Sequence, residues 1–128
     1  MYATHGIVFQ GSRFWVMHRR QRYGPFDYEW SKDFAGIELT FEGDKFGEYC
    51  GKEELFADLK HYGLPDAVVP VATIVIGCVV YGVLNGLREA ERTQMITSHL
   101  AERGLERFAQ IETEPEQDVF RRNPPRID

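Results

Sequence analysis

The chain has 128 residues, of which 43% are hydrophobic and 27% are charged. These values are typical of one globular domain that folds without a disulfide or metal, and they exclude a disordered chain, a collagen-like fibre and a disulfide scaffold. The formal net charge is −5, which argues against nucleic-acid binding because that binding depends on basic surface patches.

Charged and aromatic side chains are spread unevenly along the chain. Residues 1–26 contain four arginines and no acidic residue, whereas residues 27–59 contain ten acidic residues and three lysines. Of the 17 aromatic residues, 14 lie in residues 1–62. The N-terminal half therefore joins a basic, aromatic segment to an acidic one.

The N-terminal half predicts two pairs of antiparallel strands. Residues 6–10 and 13–18 are rich in β-branched and aromatic residues, and Gly11-Ser12 between them suits a two-residue type II′ turn. Residues 36–41 alternate between apolar and polar side chains, which is typical of a half-buried strand, and residues 45–49 follow as its partner.

Between these pairs, the segment Tyr23-Gly24-Pro25-Phe26 predicts a bend. Proline cannot donate a hydrogen bond to a β-ladder, and a Gly-Pro pair commonly marks a turn. We therefore expect the chain to bend at Gly24-Pro25, after the basic stretch that ends at Arg22.

The C-terminal half predicts helices. Residues 52–62 have apolar side chains at helical spacing, and residues 87–103 are the clearest amphipathic helix in the chain. The length of the uncharged segment 67–84 favours a buried helix, while its β-branched residues leave two buried strands broken at Gly77 as the alternative. Helix 87–103 and the small-residue side of residues 67–86 also suit self-association, so a homodimer is one hypothesis.

Together these elements predict an α+β fold, with a small antiparallel sheet from the N-terminal half packed against two to three helices from the C-terminal half. Residues 1–111 form the single domain in this interpretation, and residues 105–111 are a short strand or a helical turn. Residues 112–128 are charged and contain three prolines, so we expect a flexible tail.

One cluster of residues has the composition of an interaction surface. Neighbouring side chains of a strand point to opposite faces, so part of the aromatic segment must face away from the core unless another layer covers it. Exposed aromatic side chains beside arginine often dominate protein interfaces, although a packed sheet with arginine stems on its rings has the same composition. The predicted partner-binding residues are Trp15, Arg19, Arg20, Arg22, Tyr23, Phe26, Tyr28 and Trp30.

Trp15 followed by Tyr23-Gly24-Pro25-Phe26 resembles the opening of GYF-type adaptor domains, which bind proline-rich peptides in an aromatic groove. The later motifs of that family, Met-x-x-Trp and then Gly-Tyr-Phe, are absent, so we assign the chain to no family. The resemblance implies a proline-rich ligand, either Asn123-Pro124-Pro125-Arg126 of this chain or a segment of another protein.

A second hypothesis is a small enzyme or redox protein that uses Cys50. This cysteine precedes the predicted helix 52–62, where a helix N-terminus favours the reactive thiolate, and His18 or His61 is a candidate base. The sequence contains no phosphate-binding loop, serine-hydrolase motif or zinc-protease motif. We therefore lean towards a non-enzymatic protein with no cofactor and no metal.

A third hypothesis is membrane association through residues 67–84, whose 18 uncharged residues just reach the length of a short spanning helix. Pro70, Tyr81 and two glycines make this segment less hydrophobic than a typical spanning helix, so we expect a buried core helix instead. The N-terminus lacks the basic and apolar regions of a secretion signal. The preferred hypothesis is a cytoplasmic interaction module that binds a protein or peptide, and not nucleic acid.

Overall fold

A computed structural model gives the fold and describes the chain in segments. The described residues are 4–30, 37–41, 44–48, 57 and 59–115, and their side chains are described for residues 4–27, 40, 41, 57 and 59–115. The elements in chain order are β1 (Gly6–Gln10), β2 (Arg13–His18), β3 (Gln21–Trp30), β4 (Ile37–Phe41), β5 (Asp44–Glu48), α1 (Val69–Asn85), α2 (Glu89–Glu102), a 3₁₀ turn (Glu106–Phe108) and β6 (Ile111–Thr113).

The fold is α+β, as the sequence predicts, with the strands in the N-terminal half and the helices in the C-terminal half. Residues 57 and 59–61 are also helical, within the predicted helix 52–62, most of which lies outside the described residues. The strands form one sheet in the order β5-β4-β3-β2-β1-β6. The sheet is mixed, because β6 pairs in parallel with β1 while the other neighbouring strands are antiparallel.

The predicted hairpin of β1 and β2 is confirmed. Gln10 pairs with Arg13 across a two-residue connection. Gly11 has φ +63°, and Ser12 has a negative φ, as a type II′ turn requires. The predicted strand pair further along the chain is likewise present as β4 and β5.

At Gly24-Pro25, where a bend is predicted, β3 contains a β-bulge and continues as one strand of ten residues. Phe14 pairs with Phe26 and Val16 pairs with Tyr23, so β3 has one more residue than β2 between these two pairs. This β-bulge accommodates the proline, since a bulge leaves part of the strand out of the hydrogen-bond ladder. The bulge also places Tyr23 and Phe26 towards the same face of the sheet.

Residues 67–84 form helix α1, so the alternative of two buried strands is excluded. Pro70 lies in the first turn, where its missing N–H costs no helical hydrogen bond, and Gly86 ends the helix with φ +66°. The predicted helix 87–103 is α2, which follows so closely that the two helices form a hairpin. No helix among the described residues is long and apolar enough to cross a bilayer.

The hydrophobic core lies between these helices and one face of the sheet, which we call the inner face. Its inner-face residues are Ile7, Phe9, Phe14, Val16, Phe26 and Phe41. The rings of Phe14, Phe26 and Phe41 stack in a row, with centroid distances of 4.9 and 4.8 Å between neighbours. Ile96 and Leu100 close the core from α2, and both are fully buried. The alternate side chains of β1 and β2, which include Val8, Trp15 and Met17, form the outer face.

The last described residues run along the edge of the sheet. β6 crosses the domain boundary predicted at residue 111, and the backbone N–H of Glu114 donates to the carbonyl of Phe9 at 2.8 Å. The division into a domain and a flexible tail stays a prediction, because residues 116–128 lie outside the described residues.

Candidate functional site

The structure separates the predicted partner-binding residues into three places. Phe26 lies in the core with 1% of its surface exposed, and Tyr23 packs against the core from the inner face. Trp15 and Arg22 belong to the outer face, and Arg19 and Arg20 form the turn between β2 and β3. Tyr28 and Trp30 lie in β3, opposite Leu39 and Ile37 of β4, but their side chains are outside the described part of the structure.

The centre of the outer face is the half-buried indole of Trp15. It packs over Gly24: a Cβ built on that glycine would lie only 3.0 Å from Trp15 Cδ1. The guanidinium carbons of Arg13 and Arg22 lie 5.9 and 5.4 Å from the ring centroid, within the range of cation–π interactions. Trp15 is therefore held in place by a glycine of the bulge and by two arginines.

The hydrogen bonds around Trp15 leave part of this basic surface available. Arg22 donates to the carboxylate of Glu114 at 2.6 Å, whereas Arg13 donates at 3.0 Å to the neutral amide oxygen of Gln10. Both arginines are exposed. Glu114 of the same chain therefore already forms an ion pair with one of the two arginines, Arg22.

The turn between β2 and β3 is unusual because two arginines form it. Arg19 and Arg20 have φ values of +55° and +69°, the left-handed conformation that a type I′ turn requires at both central positions. Asn and Gly normally fill these positions, since a left-handed conformation costs other residues about 1–2 kcal/mol each. The N–H of Arg20 donates to the carbonyl of Thr4 at 3.0 Å and ties the turn to the N-terminal segment.

Two histidines meet beside this turn, at the end of the sheet. The rings of His5 and His18 lie edge to face at 5.2 Å, and both contact the buried ring of Phe108. Burial lowers the pKa of His18, and the positive charges of His5, Arg19 and Arg107 lower it further. No local sequence pattern points to His5 and Arg107, because only the connection from α2 through the 3₁₀ turn to β6 brings residues 107 and 108 to the start of β1.

The thiol hypothesis stays a prediction. Cys50 lies outside them, while His18 ends β2 and His61 is an exposed residue next to Tyr62. Cys78 is buried in α1, with 5% of its surface exposed. No group of three or more His, Cys, Asp or Glu side chains within the described ranges is placed to hold a metal ion.

A groove of about 420 Å³ lies between α1 and α2, and Gly77, Tyr81, Met95 and His99 are among its lining residues. This volume is in the range of small-molecule sites. The lining is mostly apolar, and nothing in the described part of the chain indicates one particular occupant. The predicted homodimer would use this side of the helices and remains a hypothesis.

Comparison with protein-family models, with curated proteins and with solved structures finds no match for this chain. The residues that resemble a GYF-type domain also fail to form one aromatic groove. Trp15 lies on the outer face, whereas Tyr23 and Phe26 pack towards the core on the inner face. The function therefore has to be inferred from the outer face and the adjoining turn.

Proposed function

We propose that this protein is a non-enzymatic interaction module that binds an acidic segment of a partner protein on the outer face of its sheet. The contacts centre on Trp15, with Arg13 and Arg22 beside it and Arg19 and Arg20 at the adjoining turn. The observation that carries this proposal is the half-buried indole held between two exposed guanidinium groups.

The pre-organised geometry of Trp15 supports a binding role. Tryptophan and arginine are the residues that most often dominate binding energies at interfaces. An indole that is already fixed by Gly24 and two arginines loses little conformational entropy when a partner covers it. Among the described residues, no helix of the chain covers this face, since α1 and α2 pack on the other one.

The guanidinium groups beside Trp15 and at the adjoining turn favour an acidic partner. No carboxylate of the described residues forms an ion pair with Arg13, Arg19 or Arg20, and Arg22 has one such partner, Glu114. A carboxylate-rich segment would satisfy these guanidinium groups through charge-assisted hydrogen bonds. The C-terminal strand already makes one contact of this kind, so Glu114 acts as an internal competitor for Arg22.

The test uses a synthetic peptide rich in glutamate and leucine, titrated by calorimetry, with a lysine-for-glutamate peptide as its counterpart. We expect Trp15→Ala to weaken binding at least about tenfold, since a hot-spot tryptophan contributes 2 kcal/mol or more. Glu114→Gln should tighten binding, because it frees Arg22. Gln94→Ala, an exposed change on α2, serves as the matched control and should bind as the wild type does.

Two results would overturn the proposal. One is binding of the acidic peptide that Trp15→Ala leaves unchanged while that variant stays folded by circular dichroism. The other is equal binding of the acidic and the lysine-rich peptide, which would mean that the charges of this face select no partner.

A further inference from the structure

A compact basic cluster lies at the end of the sheet where β1 begins and β2 ends. Its described members are His5, His18, Arg19, Arg20 and Arg107. None of the three arginines forms an ion pair with a carboxylate of the described residues. Like charges repel one another, so an anion that joined the cluster would relieve this repulsion.

The rings of the two histidines pack against each other and against Phe108, but one polar atom of the pair is left without a partner. Nδ1 of His18 is buried and has no hydrogen-bond partner among the described residues. Nδ1 of His5 lies 3.0 Å from the hydroxyl of Thr4. Buried polar atoms are almost always satisfied in folded proteins, so an unsatisfied one needs a reason.

The backbone supplies an independent observation. Arg19 and Arg20 occupy left-handed conformations, which Asn and Gly adopt at lower cost. Strained residues of this kind occur preferentially at binding and catalytic sites, where the strain is retained because the side chains are needed. Two adjacent arginines in a strained turn are therefore consistent with a selected anion-binding role.

We propose that His5, His18, Arg19 and Arg107 form a binding site for a phosphoryl group. This inference deepens the proposed function, and it rests on that function in taking the phosphoryl group to belong to a phosphorylated side chain of the acidic partner segment. A phosphoryl group has three strong acceptor oxygens and a charge of about −1.5 to −2 at neutral pH, which matches several guanidinium and imidazole donors at once.

Binding at this site would be linked to protonation. Because burial, His5, Arg19 and Arg107 all lower the pKa of His18, the free protein holds this imidazole mostly neutral. A bound anion offsets the repulsion among the positive charges and raises the pKa of His18 again. Affinity should therefore increase as the pH falls from 7.5 to 6.0.

The experiment follows the imidazole resonances by NMR while the anion is titrated at constant ionic strength. Inorganic sulfate is the probe for the pH series, because its charge stays constant over that range. We expect saturable shifts of His5 and His18, with His61 and His99 unaffected as internal controls. The affinity should rise between about three- and tenfold from pH 7.5 to 6.0, as expected for uptake of up to one proton.

Variants assign the effect to the cluster. Arg107→Gln should weaken sulfate binding at least about fivefold, and Arg103→Gln, an exposed change at the end of α2, should leave it unchanged. Shifts that do not saturate, or that Arg107→Gln does not alter, would overturn the site. His18→Asn should reduce the pH dependence, and a pH dependence as steep as that of the wild type would overturn the linkage to His18.

Further titrations identify the source of the anion and separate this inference from the proposed function. Inorganic phosphate, a phosphoserine peptide and the same peptide with serine are compared. Tighter binding of the phosphoserine peptide than of phosphate assigns the site to a modified partner, and equal binding assigns it to free phosphate. If Arg107→Gln leaves the phosphoserine peptide bound while Trp15→Ala releases it, the phosphoryl site fails and the outer-face proposal stands.

Discussion

The two faces of the sheet use aromatic residues in opposite ways. On the inner face, Phe14, Phe26 and Phe41 stack ring on ring and are almost completely buried. On the outer face, Trp15 is half-buried, lies opposite Val8 of β1 and is flanked by two arginines. Neighbours in sequence such as Phe14 and Trp15 therefore have different roles: one stabilises the fold, and the other presents a surface.

The strongest test of this comparison truncates one aromatic residue on each face. Phe26→Ala should lower the free energy of unfolding by about 3–5 kcal/mol, as large-to-small changes in a packed core do. Trp15→Ala should cost only about 1–2 kcal/mol, since part of its surface is already exposed and its cation–π contacts contribute little in water. Chemical denaturation measures both values. Equal losses would show that Trp15 is as structural as Phe26, and the comparison would fail.

A second test changes Gly24, the glycine of the bulge, which contacts both Phe14 and Trp15. A Cβ on Gly24 would lie 2.9 Å from the carbonyl oxygen of Phe14 and 3.0 Å from the indole of Trp15, and φ is +145°. Gly24→Ala should therefore cost about 1–3 kcal/mol through backbone strain, with the clash in addition. Gly63→Ala is the control, because φ there is +78° but nothing lies within 4 Å. Its loss should be smaller, and only Gly24→Ala should shift the indole N–H resonance of Trp15.

Local sequence patterns predict several regular elements of the fold, but they do not predict strand β3. The Gly11-Ser12 hairpin, the helical nature of residues 67–84 and the burial of Ile96 and Leu100 all follow from local patterns of residue type and spacing. These features depend on residues close together in the chain, where turn geometry and helical periodicity act directly.

The candidate site was less predictable for two physical reasons. The bulge at Gly24-Pro25 adds one residue to β3, so alternation counted along the sequence cannot assign Tyr23 and Phe26 to a face. The cluster of His5, His18 and Arg107 depends on contacts between distant parts of the chain, which no local pattern encodes. Its one local signal is the Arg19-Arg20 pair in a two-residue turn.

That turn offers a third test, with an expected gain of stability. Replacing Arg19→Asn together with Arg20→Gly supplies the residues that a type I′ turn favours and removes two unpaired charges. The free energy of unfolding should rise by about 1–2 kcal/mol, while sulfate binding should weaken. A thermal melt and the NMR titration measure the two quantities. A variant that is less stable than the wild type would contradict the view that this turn is retained for its charges.

The smallest expected effect is the pH dependence that His18 contributes. The ordinary pKa of a histidine is 6.5, and burial together with His5, Arg19 and Arg107 lowers that of His18 in the folded chain. The unfolded chain therefore binds more protons just below pH 6.5, so this residue makes the fold less stable as the pH falls through that range.

In a buffer free of phosphate and sulfate, His18→Asn should flatten the decline in stability between pH 7 and 5.5, by the equivalent of less than one proton. Because a bound anion raises the same pKa, adding sulfate to the wild type should flatten the decline as well. A His18→Asn variant whose stability declines as steeply as that of the wild type would contradict this role of His18.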